Sequence, residues 1–378
     1  MIIRPKLKTN SYRPVLVLAP GILAGAEKVV LTGINALYEL GLNPLMIIIK
    51  ETRAPHFANE FKKVLPEYIE NITIDSTKAL DIKLPYKLKD VLKNERLPIV
   101  LHSHGFKSLI TCYIIKGKCP HLHTHHGNTA HTFKVRIYEK IAMMTMKTCS
   151  QVIAVSNKMN DELKTMLSPY KKIMVIENML SLNNVAKIRK ERSTQVQLNN
   201  NIIKLIYIGR LSPEKGLLPF LECLSKFHAK DRFFLMVLGD GVERPLVEKF
   251  ILEHNLSSQV AIHGFVTDPS DFFISPDILI MPSQREGLPM TLIEALASGV
   301  PVIANNVGAI SSLITHGHNG FLAVDHSIES WDKVLDTSIE SYKDWKQNAT
   351  LEAEAIEARF STKLWAQKTQ QIYQSNFN

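Results

Sequence analysis

The chain alternates regularly between short apolar runs and longer amphipathic stretches, and this pattern leaves few possible classes of fold. The runs in the first half are Val15–Ala19, Leu45–Ile49, Ile99–His102, Leu122–His125, Val152–Val155 and Ile173–Ile176. Those in the second half are Lys204–Ile208, Phe233–Leu238, Val260–His263, Ile278–Met281, Val302–Ala304 and Gly320–Val324. Buried strands joined by amphipathic helices are the repeating units of parallel sheets. The alternation therefore predicts an α/β fold.

A stretch of different composition divides the chain into two halves. Residues 181–201 are rich in Asn, Lys, Arg and Gln and poor in apolar residues, which is typical of a linker. The 378 residues also suffice for two domains, at about 150 residues per domain. We predict α/β domains over residues 1–180 and 181–357, followed by a helical segment over residues 358–378.

The two halves differ in charge. Residues 1–180 contain 26 Lys and Arg against 14 Asp and Glu, whereas residues 181–378 contain 19 against 22. A domain-sized basic excess indicates an anionic neighbour, such as a phospholipid surface, an acidic glycan or nucleic acid. The basic stretches lack interleaved aromatic residues and carry no recognised nucleic-acid motif, so we expect no nucleic-acid partner.

No apolar run approaches the roughly 20 residues that a transmembrane helix needs. The first ten residues contain Arg4, Lys6 and Lys8 but no signal of the cleavage type. We expect a cytoplasmic location. The basic first half adds the hypothesis of peripheral contact with the inner face of the cell membrane, and scattered solvated lysines are the alternative interpretation.

Candidate functional residues follow the predicted strands, because open parallel sheets bind ligands beyond the carboxyl ends of their strands. The first strand is followed by a turn with Gly21 and Gly25, which would let the backbone approach a phosphate or a sugar. The strand ending at Ile208 is followed by Arg210 and Lys215, the cations that a diphosphate would need. A plain turn and solvated surface charges are the alternatives.

The segment 282–301 is the most specific part of the sequence. Pro289 suits the start of a helix, and Gly299 with Pro301 suits its end, so the segment predicts a helix from about Pro289 to Ser298. The amides at its N-terminus would favour a phosphate or a developing negative charge.

Two carboxylates accompany this predicted helix. Glu286 precedes it and Glu294 lies within it, so the two side chains can reach different hydroxyls of one extended ligand. The alternative is that Glu286 caps the helix and Glu294 pairs on its surface.

At this point the sequence resembles the retaining GT-B glycosyltransferases of glycosyltransferase family 4. The resemblance covers nearly the whole second half and is looser in the first. In the second half it is carried by Gly209-Arg210-Leu211, Gly239-Asp240-Gly241, His263-Gly264-Phe265, Glu286-Gly287-Leu288-Pro289, Gly308 and Gly317-His318-Asn319-Gly320-Phe321. In the first half it is carried by Gly25-Ala26-Glu27, His102-Ser103-His104, Thr124-His125-His126-Gly127 and Ala154-Val155-Ser156.

The resemblance implies two Rossmann-like, doubly wound domains facing a cleft, and a C-terminal helix over residues 358–378 that crosses back to the first domain. It also implies transfer of a hexose or an N-acetylhexosamine, with retention of anomeric configuration, from a nucleotide sugar to a glycan or a lipid-linked glycan. We expect a UDP sugar as co-substrate and a place in the biosynthesis of a cell-surface polysaccharide. The second domain would hold the donor, and the first domain the acceptor.

The resemblance also assigns roles to single residues. Arg210 and Lys215 would hold the donor diphosphate, Glu294 the ribose hydroxyls, and backbone near Phe265 the base, while Gly21 and Gly25 would complete the donor site. Glu286 and His126 are the expected catalytic residues: Glu286, with the amides of Gly287 and Leu288, would hold the sugar ring, and His126 would lie near the transferred sugar.

We expect no metal ion, because no Asp-x-Asp pair occurs and Arg210 and Lys215 offer the positive charge that a cation would otherwise supply. A histidine-rich pattern over residues 102–126 leaves a metal site as the weaker alternative. His121 and His123 are interpreted instead as surface or hydrogen-bonded residues.

Two other functions remain open from the sequence alone. A nucleotide-sugar 2-epimerase would share the architecture and would convert the donor without any acceptor. A basic nucleic-acid-binding protein is the third interpretation, and it rests on the charge of the first half alone.

Overall fold

The computed structural model describes residues 11–21, 23, 25–78, 81–127, 133–170, 172–182, 184–194 and 202–377, with the backbone alone for residues 133–139. It divides into two compact units, one of Met1–Ser181 with Ser361–Asn378 and the other of Leu182–Phe360. Within the described part of the chain, no helix is both long and apolar enough to cross a membrane.

The first unit is built on a seven-stranded parallel sheet in the order β3-β2-β1-β4-β5-β6-β7. Its strands are β1 (Arg13–Leu18), β2 (Leu45–Glu51), β3 (Glu70–Ser76), β4 (Ile99–His104), β5 (His121–His125), β6 (Gln151–Ala154) and β7 (Ile173–Val175). The helices between them are α1 (Gly25–Glu39), α2 (Pro55–Val64), α3 (Leu84–Leu92), α4 (Phe106–Ile115), α5 (Phe133–Met146) and α6 (Asn157–Leu167). Every residue of β1 is buried, as expected of a central strand covered on both faces.

The second unit repeats this plan with a six-stranded parallel sheet in the order β10-β9-β8-β11-β12-β13. Its strands are β8 (Ile203–Ile208), β9 (Phe233–Leu238), β10 (Val260–Gly264), β11 (Ile278–Met281), β12 (Val302–Asn305) and β13 (Gly320–Ala323). Its helices are α7 (Val185–Thr194), α8 (Leu217–Lys226), α9 (Arg244–Glu253), α10 (Met290–Ala297), α11 (Ile328–Glu340) and α12 (Tyr342–Arg359). In both sheets the strand order reverses between the first and fourth strands, which defines a doubly wound fold.

Each apolar run in the sequence is a strand, so the α/β prediction is confirmed. Strand β3 was not predicted from the sequence; it is an edge strand in which only Ile74 and Ser76 are fully buried. An edge strand covers less of the core and therefore carries a weaker apolar signal.

The linker prediction was wrong over Val185–Thr194, which forms α7 within the second unit. Val185 and Ile188 are buried, and the Arg192 guanidinium donates hydrogen bonds to the carbonyl oxygens of Phe273 (2.8 Å) and Pro276 (2.7 Å). In the structure this long polar side chain satisfies buried carbonyl groups. In the sequence it only adds to the polar composition that is typical of a linker. Residues 195–201 lie outside the described chain.

The last helix, α13 (Thr362–Ser375), packs in the first unit against α1. Trp365 lies so close to Gly33 of α1 that a Cβ atom at Gly33 would stand 2.6 Å from the indole Cη2. The glycine thus provides the space that the indole fills.

Candidate active site

The loops that follow β8 and β11 meet at the reversal point of the second sheet. Strands β8 and β11 are hydrogen-bonded neighbours, although β9 and β10 separate them in the chain. The backbone N–H of Gln284 in the second loop donates to the carbonyl of Glu214 in the first, at 2.9 Å. Sequence-distant loops therefore form one surface, at the place where doubly wound sheets bind ligands.

This surface brings together two of the predicted site residues, Lys215 and Glu286. The Lys215 Nζ lies 2.7 Å from the Glu286 Oε1, although the residues are 71 positions apart. The Glu286 side chain is only 9% exposed and that of Lys215 29%. A partly buried, charge-assisted hydrogen bond of this kind fixes both side chains in one geometry.

Two glycines allow the loops to approach so closely. Gly216 has a φ of +70°, and a Cβ atom there would lie 2.1 Å from the Pro282 carbonyl oxygen. Gly308, after β12, has a φ of +57°, and a Cβ atom there would lie 2.0 Å from the Glu286 carbonyl oxygen. Only glycine fits at such positions, since a side chain would displace the segment that carries Glu286.

A buried asparagine that the sequence analysis missed anchors the same segment. Asn305, at the end of β12, donates from Nδ2 to the carbonyl of Pro282 at 2.7 Å and accepts from the Trp331 indole N–H at 3.0 Å. The sequence did contain a signal for this role, because the amide side chain of Asn305 ends an apolar run that predicts a buried strand. Asn305 links the strand to the start of the site loop.

The predicted helix of the site is confirmed as α10, with Pro289 at its N-cap and Gly299 beyond its C-terminus at a φ of +72°. Among the residues that the structure describes, no side-chain hydrogen bond caps its N-terminus, which contradicts the alternative role of Glu286 as the cap. Glu294 is 1% exposed and therefore does not pair on a solvated surface. Leu288 is also buried, whereas Gly287 accepts a hydrogen bond at its carbonyl from the Ala309 N–H at 2.9 Å.

Arg210 and Phe265 lie on the loops after β8 and β10, and both side chains are exposed. Within the described chain, neither the guanidinium nor the phenyl ring forms a hydrogen bond, ion pair or ring contact with another predicted site residue. The backbone of Arg210 is nevertheless held, because the buried Tyr207 hydroxyl donates to its carbonyl at 2.8 Å. Burial raises the pKa of Tyr207 well above its usual value, so the hydroxyl stays protonated.

The first unit presents its own candidates after β1 and β5. The Gly21 N–H donates to the Glu27 carboxylate at 2.9 Å, and exposed Gly25 begins α1. At the end of β5, the His126 Nε2 lies 3.0 Å from the Nδ1 of His104 on the neighbouring strand β4. Burial lowers the pKa of His126 to about 3, so this ring is neutral at physiological pH.

His121 and His123 are not surface residues, because both side chains are at most 1% exposed. Their hydrogen-bonded interpretation is confirmed: the Ser103 hydroxyl lies 2.9 Å from His121 Nε2 and 3.1 Å from His123 Nδ1. Alternation along β5 places both rings on the same face of the sheet, and every residue of this strand is buried. Among the described residues, no group of three or more histidine, cysteine or acidic side chains is arranged to hold a metal ion.

Two family models match the chain, one in each half. The model described as Glycosyltransferase Family 4 matches residues 23–184, and the model described as Glycosyl transferases group 1 matches residues 188–353. The boundary between the matches falls where the chain passes from the first compact unit to the second.

Known proteins and solved structures agree with these matches. The chain is 26% identical over 287 residues to the UDP-Gal:alpha-D-GlcNAc-diphosphoundecaprenol alpha-1,3-galactosyltransferase of Escherichia coli, covering 72% of this chain and 73% of that protein. It is 22% identical over 298 residues to the N-acetyl-alpha-D-glucosaminyl L-malate synthase of Bacillus anthracis, covering 75% and 76%. It has the fold of Anabaena HepE, solved with UDP-glucose, at a TM-score of 0.80, with 20% identity over 96% of this chain and 99% of that one.

The fold, the loops after β8 and β11 and the two family models together define a glycosyltransferase of GT-B architecture. The chain belongs to this class, with a glycosyltransferase family 4 domain followed by a group 1 domain.

Proposed function

We propose that the chain transfers a hexose or an N-acetylhexosamine from a UDP sugar to a glycan or a lipid-linked glycan, with retention of anomeric configuration. The supporting observation is the contact between Lys215 and Glu286 at the reversal point of the second sheet. One cation and one carboxylate from different loops form a single polar site there. The cation suits a phosphate of the donor, and the carboxylate suits the hydroxyls of its sugar.

The donor site extends from this pair in our proposal. Arg210, whose guanidinium is exposed on the same loop as Lys215, joins it at the diphosphate. Glu294 takes the ribose, the backbone at Phe265 takes the base, and the N-terminal amides of α10 with Gly287 and Leu288 approach the sugar. Gly21 and Gly25 add backbone donors from the first unit, and His126 lies near the transferred sugar.

The bond changes of transfer explain why fixed positive charge is needed. The bond from the anomeric carbon to the diphosphate oxygen breaks, and the acceptor oxygen bonds to the same carbon from the same face. The acceptor proton passes to the departing phosphate oxygen, so no protein nucleophile is required. Negative charge grows on the diphosphate as the sugar becomes oxocarbenium-like, and positioned cations and amides stabilise that transition state more than the ground state.

We propose that Arg210, Lys215 and the N-terminus of α10 supply this charge without a divalent cation. Transfer should then persist after chelation by EDTA. Loss of all turnover on chelation, with recovery on adding Mg²⁺ or Mn²⁺, would contradict this part of the proposal.

The identity of the co-substrates is inferred from relatives. The Escherichia coli relative is named for a UDP-Gal donor and a diphosphoundecaprenol-linked acceptor, and HepE was solved with UDP-glucose. We infer a UDP sugar and a lipid-linked or free glycan for this chain, in the biosynthesis of a cell-surface polysaccharide.

The test combines binding with turnover. A thermal-shift panel of nucleotide sugars identifies the donor, because a ligand at 100 times its Kd stabilises by about 2.7 kcal/mol. With that donor, Glu286→Gln should lower turnover by about 10³-fold with a modest loss of donor binding, whereas Lys215→Ala should weaken both. Lys226→Ala, which breaks an exposed ion pair with Glu222 on α8, is the matched control and should change neither.

The reaction type is tested with the same protein. NMR of the product should show the anomeric configuration of the donor sugar. Conversion of the donor in the absence of acceptor would show an epimerase instead, and full turnover of Glu286→Gln would remove the catalytic assignment.

We further propose that an anionic lipid surface on the inner face of the cell membrane is a partner of the first unit. Its support is the outer surface of the neighbouring helices α3, α4 and α5, where large apolar side chains are exposed among lysines. The apolar residues are Ile82, Tyr86, Tyr113, Ile114, Ile141 and Met144, and the lysines are Lys83, Lys87, Lys89, Lys116, Lys118, Lys140 and Lys147. Ile82 is 81% exposed and Tyr86 72%. Tyrosine and lysine suit a bilayer interface because each has an apolar body and a polar end.

Vesicle sedimentation tests this partner. Binding to vesicles of phosphatidylglycerol and phosphatidylcholine should fall about fivefold for Lys87→Ala, since one basic residue near an anionic surface contributes about 1 kcal/mol. Tyr86→Ser should also weaken it, whereas Leu252→Ser, which alters an exposed leucine of the second unit, should not. Equal binding to pure phosphatidylcholine, or no binding at low salt, would remove the proposal.

A further inference from the structure

We propose that His104 is a positioning residue that fixes the tautomer and the ring orientation of His126, so that His126 carries its proton on Nδ1. The consequence for catalysis rests on the proposed role of His126 beside the transferred sugar. The tautomer itself follows from the geometry of the first unit.

The two rings form a close pair at the carboxyl ends of β4 and β5. His104 Nδ1 and His126 Nε2 are 3.0 Å apart, and the ring planes lie 27° from parallel with centroids 5.4 Å apart. His104 is 1% exposed. One of the facing nitrogens must donate and the other must accept, because two lone pairs or two N–H groups at this distance would repel.

Both rings are neutral, which reduces the choice to two arrangements. Burial lowers the pKa of His104 well below its usual value and that of His126 to about 3. Each ring therefore carries one proton. Either His104 donates from Nδ1 and His126 has its proton on Nδ1, or His126 donates from Nε2 and His104 has its proton on Nε2.

The other nitrogen of His104 decides between them. His104 Nε2 is buried and has no hydrogen-bond partner within the described chain. A buried N–H without an acceptor is rarer in folded proteins than an unused acceptor. The favoured arrangement leaves Nε2 as a bare lone pair, so His104 is protonated on Nδ1 and donates to His126 Nε2.

The surroundings hold the His104 ring in place. His102, on the same face of β4, packs against it with centroids 4.4 Å apart. The two nitrogens of His102 are in turn hydrogen-bonded at 2.7 Å to the Tyr373 hydroxyl of α13 and to Thr124 Oγ1 of β5. A ring fixed in this way presents Nδ1–H in one direction, and His126 must accept along it.

Nitrogen-15 NMR of histidine-labelled protein tests the tautomer directly. The chemical shifts of His126, assigned by loss of its signals in His126→Asn, should show a protonated Nδ1 and an unprotonated Nε2. In His104→Phe, which keeps an aromatic ring but loses the donor, His126 should become a mixture of both tautomers. His104→Asn should preserve the wild-type pattern, because its amide N–H₂ occupies the position of Nδ1.

Turnover provides the second measurement. His104→Phe should lower kcat about tenfold with little change in the donor KM, and His104→Asn should recover most of it. A loss in His104→Asn equal to that in His104→Phe would show a merely structural role and overturn the inference.

The outcomes separate this inference from the proposed function. A His126 protonated on Nε2 in the wild-type protein overturns the inference, even if neither variant folds. The expected tautomer combined with full turnover of both His126→Asn and His104→Phe would leave the tautomer assignment standing and remove the proposed role of His126.

Discussion

The two units share a strand order, but only the first has buried histidines among the residues that the structure describes, while its His56, on α2, is exposed. The first unit buries five histidines and half-buries a sixth, all on β4 and β5 or directly after them: His102, His104, His121, His123, His125 and His126. The second unit exposes all six of its histidines: His228, His254, His263, His316, His318 and His326. At the matching edge of its sheet, the second unit places the charged pair of Lys215 and Glu286.

The difference shows that one topology can carry two kinds of polar surface. The histidine rings at the ends of β4 and β5, which we call the neutral edge, donate and accept hydrogen bonds without net charge. Such a surface suits a sugar. A lysine and a carboxylate beside a helix N-terminus suit a diphosphate and the hydroxyls next to it. The fold supplies the edge, and the side chains at the strand ends decide what it binds.

Acid should unfold the first unit before the second, and this is the strongest effect that we predict. In the unfolded chain each histidine takes up a proton below about pH 6.5, whereas burial lowers the pKa of His102, His121 and His126 to about 3 and that of His125 to about 4 in the fold. The unfolded state then binds more protons, so stability is full above pH 6.5 and falls as the pH drops. Each such ring contributes about 1.4 kcal/mol per pH unit.

Hydrogen exchange followed by mass spectrometry from pH 7.5 to 5 should show the peptides of the first unit opening before those of the second. His121→Gln should flatten the dependence of unfolding free energy on pH by about 1.4 kcal/mol per unit. His254→Gln, at an exposed position of the second unit, should leave it unchanged. Equal opening of the two units at each pH would contradict the contrast between their histidines.

The next effect concerns the charged edge, which is the edge of the second sheet that carries Lys215 and Glu286. Gly308→Ala should destabilise the second unit by about 3 kcal/mol and lower turnover, because the new Cβ would lie 2.0 Å from the Glu286 carbonyl oxygen at a positive φ. Gly317→Ala is the control, since Gly317 has a φ of +76° and a Cβ atom there would have no neighbouring atom of the described chain within 4 Å. It should cost only about 1 kcal/mol, as judged by urea unfolding, and leave turnover intact.

A smaller effect tests the packing of α13 against α1 in the first unit. Gly33→Ala should destabilise the first unit by about 1 kcal/mol, because overpacking against Trp365 exceeds the gain in helix propensity. In a Trp365→Leu background the same substitution should become stabilising by about 1 kcal/mol. Thermal unfolding of the four proteins measures this sign change, and the same sign in both backgrounds would contradict the packing account.

The smallest effect is a difference between the charged edge and the neutral edge in how donor affinity depends on salt. Donor affinity should weaken several-fold between low and high ionic strength, because the exposed Arg210 guanidinium is screened. Arg210→Met should reduce this dependence, whereas His126→Asn, at the neutral edge, should leave it as steep as in the wild-type protein. Titration calorimetry at two salt concentrations measures both, and an unchanged slope in Arg210→Met would argue against a diphosphate contact.

The sequence alone determined the class of fold and the loops of the site. Apolar runs such as Phe233–Leu238 and Ile278–Met281 became strands without change, and α10 lies between the proline and glycine that predicted its ends. These features are local: a run of apolar residues, a cap and a turn each act over a few neighbouring positions.

Which polar groups are buried, and with what they pair, follows from how distant segments of the chain pack together. A surface position was one interpretation of both His121 and Glu294 in the sequence, and Arg192 fell in a predicted linker, yet each is enclosed by segments far away in the chain. Lys215 and Glu286 meet only because β8 and β11 are neighbours in the sheet. Burial and pairing depend on what the rest of the chain brings to a residue, and no local pattern encodes that.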